Sequence, residues 1–587
     1  MRPSSAARDV KRAAPTQKRF VLRLGSSVYT RWGTPNKRAG LRGSSRLSRR
    51  VCYDLPAVRA FQSPEPRVAI VNTFASPFSN AVATARTCYT GRGIVRAEEV
   101  AGEDGTPETE RERLIARRDA LARDLYQAGH HTTLQHAHFQ FALENVSRQF
   151  IWSFLHSHPF YNSEQVSQRY VAVRPGACAV PPLRGEALSV YERTVEKQVG
   201  AYQALSEDLI PLVAEEYFRR FPGRRNKEAW QKEVRKKAQE VARYTLPVST
   251  FAHLYHTVNG VTLLRYYRLC EQHDAPLEQR IVLEKMVAEL LKTDAGYRAI
   301  LEEPLPFEET LEARALAAVS QNGMDSRSAG RFRQEFDAGL EGKISRLISY
   351  NRDCEGLVAQ SVREVLGLGR EQLPDPEAID LVLNPASNPY AGFRLNLDTH
   401  SKLTRSLFHA HYTFRKRLSH TADSQDQRHR LTPASRPVLS AHLDGEPDFV
   451  LPKLVAADAG PLRSFREAME ASWEGMARLR ALGVEDQFVL YLLPNAACVR
   501  FTESADLLNL RHKHTMRLCY NAQEEIWLAS WEEALQVRDV TPRLGRWLLP
   551  PCTLREHAAE KPFCPEGKRY CGEPVWKYDL ADYRRLI

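Results

Sequence analysis

The chain has no apolar run approaching the ~18 residues needed to span a bilayer. Phe488 to Leu493 is typical of its longest apolar stretches, so an integral membrane protein is excluded. It lacks a complete G-x-G-x-x-G, because Gly367 and Gly369 have no third glycine, and it has no P-loop. A nucleotide cofactor would therefore need another cradle. Cysteine is sparse: seven of the ten stand singly along 587 residues, the pattern of buried free thiols in a reducing cytosol. Acidic residues are nearly missing from one region. Residues 1–50 carry fourteen Lys or Arg against a single acid, Asp9, while the rest holds 69 basic and 70 acidic residues. The formal charge of +12 thus belongs to the N-terminal segment. The near-neutral body has no basic domain to lay along a nucleic acid.

What is present is long and globular. At 587 residues, 43% hydrophobic and 26% charged, the chain needs more than one core. The Arg- and Ser-rich first fifty residues have too few apolar side chains to pack. They read first as a disordered arm or an overextended start, since no Met follows Met1 until Met286, second as an organelle transit peptide and third as a nucleic-acid-binding arm.

The body repeats itself. Pro66–Arg86 reads as strand, turn and helix, and Gly342–Arg363 reads the same way. HAHFQF (His136–Phe141) recurs as HAHYTF (His409–Phe414). Leu246–Pro247, Ala275 and Glu278 recur at Leu493–Pro494, Ala522 and Glu525, all at one offset of 247. The order of blocks is kept, so we read two diverged tandem copies. The expected division is a basic extension at 1–62, a first copy at 63–300, a linker at 301–342, a second copy at 343–545 and a cysteine-containing tail at 546–587. Each copy mixes short strands with long amphipathic helices such as Arg111–Ala128, stopped by Gly129. The fold class is α+β, a small sheet plus long helices in each copy.

Two polar clusters stand out, YNSEQVSQRYV (Tyr161–Val171) in the first copy and SQDQRHR (Ser424–Arg430) in the second. Either alone is ordinary. Their contexts, HAHYTF before Gln425-x-x-Arg428-His429-Arg430, VARYTLP (Val241–Pro247) before Asn259, and MRLCYNAQEEI (Met516–Ile526), make the chain resemble the flavin-dependent thymidylate synthase family over about three-quarters of its length. The resemblance implies two copies of that family's fold. It also implies a reaction: methylation of deoxyuridine monophosphate (dUMP) to thymidine monophosphate (dTMP), with methylenetetrahydrofolate as carbon donor and NADPH as reductant through FAD. By the same resemblance Arg428, His429, Arg430, Thr132 and Asn259 match flavin contacts. Gln425, Gln165, Ser167, Arg169 and Arg243 match positions that hold dUMP. Arg517 matches the arginine facing the uracil ring and is the expected catalytic residue, stabilising charge that develops on the ring. A plainer use of Arg517 is a buried ion pair with Glu525.

Departures from the family pattern complement one another. The first copy has Ser157-His158-Pro159 where the family has Arg-His-Arg, and Cys270 in the place of Arg517. The second has Val438, Leu439 and Ser440 in place of the phosphate-binding Ser-x-Arg, and Leu490 in the place of Arg243. One composite site drawn from both copies is expected to work and its reciprocal to be dead, in a cytoplasmic homodimer imitating the family's tetramer. A rival is a diverged pyrimidine-nucleotide-binding protein on the same fold. His136 and His409 read as core-facing strand histidines. In the tail, Cys552, His557, Cys564 and Cys571 are candidate zinc ligands, though their spacings are looser than the usual pairs.

Overall fold

The computed structural model describes residues 60–156, 160–271, 274–320, 327–391 and 396–585. The basic segment before Ala60, the Ser157–Pro159 triplet and residues 321–326 of the polar linker stretch lie outside the described residues. Phe61 and Gln62, expected within the extension, belong to the folded body: Phe61 is buried and the Gln62 amide donates to Val180 O at 2.9 Å.

The first half runs β1 (Arg67–Thr73), α1 (Pro77–Thr87), α2 (Glu108–Gln127), β2 (His138–Ser147), α3 (Arg148–Leu155), β3 (Tyr161–Gln165), α4 (Gly185–Arg220), α5 (Glu228–Ala242), β4 (Phe251–Asn259), α6 (Gly260–Arg268) and α7 (Pro276–Thr293). Two helices, Leu311–Ser320 and Arg327–Ala338, occupy the segment read as a linker. The second half repeats the plan with β5 (Ser345–Tyr350), α8 (Cys354–Leu366), β6 (His411–Ser419), α9 (His420–Asp426), β7 (Ala434–Ser435), α10 (Ala459–Ala481), β8 (Cys498–Asp506), α11 (Leu507–Arg517) and α12 (Glu524–Val540). The two antiparallel sheets share one topology, β1-β2-β4-β3 and β5-β6-β8-β7. Alternation sets the strand faces: β2 buries Phe139, Phe141 and Leu143, and β6 buries Tyr412, Phe414 and Leu418. Between Phe414 and Leu418 the inward position is a lysine, Lys416.

His136 and His409 are not core-facing. Both end short 3₁₀ turns just before their strands and are exposed, while the alanines that follow, Ala137 and Ala410, are buried. The turn shifts each histidine off the strand's inward register.

The halves meet about a pseudo-two-fold axis at which the two Leu-Pro blocks touch each other. Pro247 bridges Pro494, the Val248 amide donates to Leu493 O at 2.8 Å, and the Asn495 amide donates to Leu246 O at 2.8 Å. Tyr491 of the second half donates to Glu278 of the first at 2.5 Å, and its counterpart Tyr244 donates to Glu525. Each of these glutamates in turn accepts the amide and hydroxyl of the serine opening the next helix, Ser147 or Ser419. This is isologous pairing within one chain. α4 and α10 pack across it, with Gly475 so close to Thr194 that a β-carbon there would lie 2.4 Å from its Oγ1.

One hydrophobic core consequently runs through both halves, uniting Tyr191, Leu205 and Val213 with Trp473, Leu479 and Leu492. A second core belongs to the first half alone and includes Phe78, Phe141, Phe154 and Leu290. The tail joins the shared core through Leu554, Val575, Leu580 and Tyr583.

Candidate active site

The turn after α9 carries Arg428, His429 and Arg430 out of the second half and onto the edge strand of the first. Arg428 pairs with Glu164 of β3. Arg430 donates to Asn162 Oδ1 at 3.0 Å and lies 5.3 Å from the centre of the Tyr161 ring. An edge strand has unpaired backbone and side chains free to meet a partner, and here the partner comes from the other copy. At the end of β3, Gln165 accepts from Arg148 Nη1 at 2.9 Å, and just beyond it Ser167 Oγ accepts the Arg169 amide at 3.2 Å.

Arg169 crosses back to the second half. Its Nη2 donates to Asn521 O at 2.8 Å, and its Nε pairs with Glu240 at the end of α5. Arg243, one turn further, is buried, and its Nη2 has no partner. From the second half, Arg517 donates through Nε to His429 Nε2 at 2.9 Å and through Nη2 to Gln425 O at 2.6 Å. It does not pair with Glu525, whose carboxylate serves Ser419 and Tyr244 instead. Gln425 bonds Gln523 through its amide nitrogen and leaves Oε1 buried without a partner.

The structure therefore brings together Gln165, Ser167, Arg169 and Arg243 of the first half with Gln425, Arg428, His429, Arg430 and Arg517 of the second. Thr132 and Asn259 stand apart from these contacts. Thr132 is exposed ahead of a 3₁₀ turn, and Asn259 uses its Oδ1 to cap α6 at the Thr262 amide, 2.9 Å away. Arg148, which no motif singles out, also belongs to the site and holds the end of β3 by bonding Gln165 and the Val166 carbonyl. Its sequence gave no signal, since an arginine opening an apolar helix is unremarkable until β3 folds over it.

The electrostatics point to an anionic ligand. Burial pulls Arg148 down to about 9, with Arg243 adding to the effect. Burial likewise lowers Arg243, and pulls Arg517 down to about 10, helped by Arg428 and Arg169 against Asp426. Several guanidinium groups crowd a volume with too little negative charge, and phosphate oxygens would relieve that strain bidentately. Burial also empties His429 of its proton, with Arg517 next in effect, so that His429 accepts from Arg517. Two clefts open beside this seam. One of about 410 Å³ is lined by Arg169, Lys236, Lys237, Glu240 and Asn521. The other, about 520 Å³, is lined by Arg428, His429, Arg430, Arg511, His512 and Arg555. Its Asp398 is already paired with Arg511 at 2.7 Å.

Glu240 is a buried carboxylate of the first cleft, which Glu216, Glu233, Glu566 and Glu573 also line. Burial opposes its ionisation, but Lys237, Arg169 and Arg243 hold it far below the usual range. A depressed pKa gives stability that is complete above the unfolded value near 4.5 and is lost as pH falls below it. At pH 7, Glu240→Gln should cost about 1–3 kcal/mol, because it strands charged partners. That deficit should shrink as the pH is lowered from about 4.5, which paired denaturant titrations at pH 7 and pH 3 would measure.

In the tail, Cys519, Cys552, Cys564 and Cys571 line one small enclosed cavity, with burial pushing Cys519 and Cys552 up to about 12. His557 does not join them. It ends the helix Pro551–His557, and five residues of α-helix turn it about 140° from Cys552. Its ring instead meets Trp547 edge-on at 5.4 Å. Among the described residues no group of three His, Cys, Asp or Glu side chains is arranged to hold a metal ion.

A flavin-dependent thymidylate synthase from Clostridium tetani is 28% identical over 171 residues, covering 29% of this chain and 64% of that protein. One from Geobacter sulfurreducens is 30% identical over 185 residues, covering 31% of this chain and 74% of that protein. The chain thus spans slightly less than two thirds of the C. tetani relative. The crystal structure of a UMP/dUMP methylase PolB from Streptomyces cacaoi bound with 5-Br dUMP covers 40% of this chain and 95% of that chain. Its sequence identity is 23% and its TM-score 0.26, too low to argue from. The family model for thymidylate synthase complementing protein matches residues 69–294 and again 346–543. Matched once in each half, over most of its length, the chain belongs to the thymidylate synthase complementing protein family in a tandem, two-domain form.

Proposed function

We propose that the chain is a flavin-dependent thymidylate synthase with one composite site, methylating dUMP at C5 with methylenetetrahydrofolate as carbon donor and NADPH as reductant. The observation that carries this reading is the seam itself. The arginines that each half has kept meet those of the other half within one chain, and Arg428 and Arg430 already rest on β3.

The residues present fit the cofactor. Arg428 and Arg430 face one cleft together with Arg511, which is paired with Asp398, and Arg555, which is paired with Glu560; guanidinium groups so placed suit a pyrophosphate. When bound, the flavin supplies the redox step of the reaction. The chain's own residues bind and orient the nucleotide. Arg169 and Arg243 would hold its phosphate with Ser167, the Arg243 Nη2 being free for it. Gln425 Oε1, buried and unpaired, is an acceptor awaiting a ring N–H. Arg517, fixed by His429 and Gln425, places a preorganised cation where negative charge grows on the uracil ring. The reciprocal site would put Cys270 and Leu490 in these roles and should be silent. The proposal extends to a homodimer in the cytoplasm, acting on small molecules and not on nucleic acid or membrane.

The test is the flavin content of the purified full-length protein, counted after denaturation, together with dTMP formation. One FAD per chain, lost in Arg428→Ala, is the expected result. No flavin after incubation with excess FAD, or two per chain, would overturn the single composite site.

A further inference from the structure

Beneath the Arg428–Arg430 turn lies a knot of charge with no exposed surface. Lys416 Nζ is 3.1 Å from Asp426 Oδ2, 3.0 Å from Glu503 Oε1 and 2.8 Å from Glu533 Oε1. Lys513 Nζ is 2.7 Å from Asp426 Oδ1 and pairs with Glu503 as well. His514 Nε2 stands 3.0 Å from Glu533 Oε2, and Ser345 Oγ donates to Glu533 at 2.7 Å. Two lysines against three carboxylates leave one negative charge, which a single proton held in the knot would cancel. Burial, with Asp426 next in effect, pushes Glu503 up to about 7.

The first half fills the same niche differently. The shared register and the 247-residue offset of the later blocks set Glu503, Lys513 and Glu533 opposite His256, Tyr266 and Met286. Counting from the matched strands and from the capping serines sets Lys416 opposite Leu143 and Asp426 opposite Phe154. Phe154 lies 4.8 Å from the His256 ring and 4.4 Å from that of Tyr266, and Leu143 and Met286 are fully buried in the same core. One fold thus packs this niche with rings and aliphatics in the half that lacks the arginine triplet, and with ions in the half that keeps it.

Stability does not account for the ionic version, because replacing buried ion networks with well-packed apolar residues is often neutral or stabilising. Connectivity does. Asp426 is the chain neighbour of Gln425 and stands two residues before Arg428, and Lys513 stands one turn before Arg517 on α11. Asp426 Oδ2 accepts from Lys416 and its Oδ1 lies 2.7 Å from Lys513 Nζ, so the knot ties the end of α9 to α11, near the contacts Arg517 makes with Gln425 and His429. The charge-assisted hydrogen bonds within such pairs are directional and fix rotation and register, whereas apolar packing tolerates small slips.

We propose that Lys416, Asp426, Glu503, Lys513 and Glu533 form a buried positioning cluster that locks the Gln425–Arg430 segment onto the helix bearing Arg517. The role assigned to that segment rests on the proposed function; the locking itself does not. It is tested in the full-length protein by giving the second half the first half's residues: Lys416→Leu, Asp426→Phe, Glu503→His, Lys513→Tyr and Glu533→Met together. Asp426→Asn serves as a nearly isosteric second variant that keeps the fold. Amide hydrogen exchange without ligands, and calorimetric binding of dUMP, are compared with wild type. Exchange at residues 425–432 and 513–518 should accelerate at least tenfold while β1, β2 and β4 are unchanged, and dUMP should bind at least tenfold more weakly. Exchange within twofold of wild type in a folded variant would overturn the proposal, as would acceleration spread evenly over the second sheet, which marks a purely structural role. Failure of the wild type itself to bind dUMP would instead sink the functional reading, and the exchange comparison would still decide the locking.

Discussion

Arg517→Cys is expected to lower the rate of dTMP formation by about 10²–10³, the usual loss when one preorganised donor to a developing charge is removed. The fold supplies the replacement, since Cys270 occupies the counterpart position in the first half and is fully buried there. A large drop therefore cannot be blamed on a residue the architecture rejects. Arg517 is held from two sides, by His429 Nε2 and the Gln425 carbonyl, and burial pulls it only to about 10, so it remains a cation through neutral pH. Steady-state kinetics should show the loss in kcat, with dUMP affinity changed much less, because the interaction strengthens as charge moves onto the ring. An unchanged kcat would remove Arg517 from the chemistry and leave it as a strut between the α9 turn and α11.

Much of this site was legible in the sequence because duplication supplied its own control. The retained and lost arginines could be read against each other, Arg243 against Leu490 and Arg517 against Cys270, and the structure brings the retained set to one seam. The strand–turn–helix opening of each copy was equally plain, since an apolar strand pattern followed by a turn and a helix is a local signal. What failed was positional. His136 and His409 lie two residues ahead of strands that look longer in the sequence, because each closes a 3₁₀ turn that runs directly into its strand. His557 joined the zinc candidates by residue type alone, and helical rotation turns it away from Cys552. The buried knot was invisible for a different reason. Lys416, Asp426, Glu503, Lys513 and Glu533 are 10–77 residues apart in chain order, and charged residues singly read as solvated surface. Only strand register and helix phase place them in one niche.

Arg243→Leu should weaken dUMP binding about 10–150-fold, the equivalent of about 1.5–3 kcal/mol for a lost hydrogen bond to a charged group. Leu490 again shows the fold's tolerance: it sits fully buried at the counterpart position, in the same Leu-Pro block. Arg243 now spends its Nε on the Glu240 carbonyl at 3.2 Å and leaves Nη2 buried and unpaired. An unpaired buried guanidinium N–H costs stability without a ligand, so its removal should not lower, and should slightly raise, the melting temperature of the ligand-free protein. The signature is thus a split. Stability without dUMP is unchanged or higher, calorimetric affinity for dUMP is much lower, and kcat at saturating dUMP is nearly retained, because the phosphate is bound alike in ground and transition states. The same variant should respond less to salt than wild type, since one fewer cation meets the phosphate. Loss of stability together with unchanged affinity would make Arg243 a brace for Glu240 and move the phosphate site elsewhere along the seam.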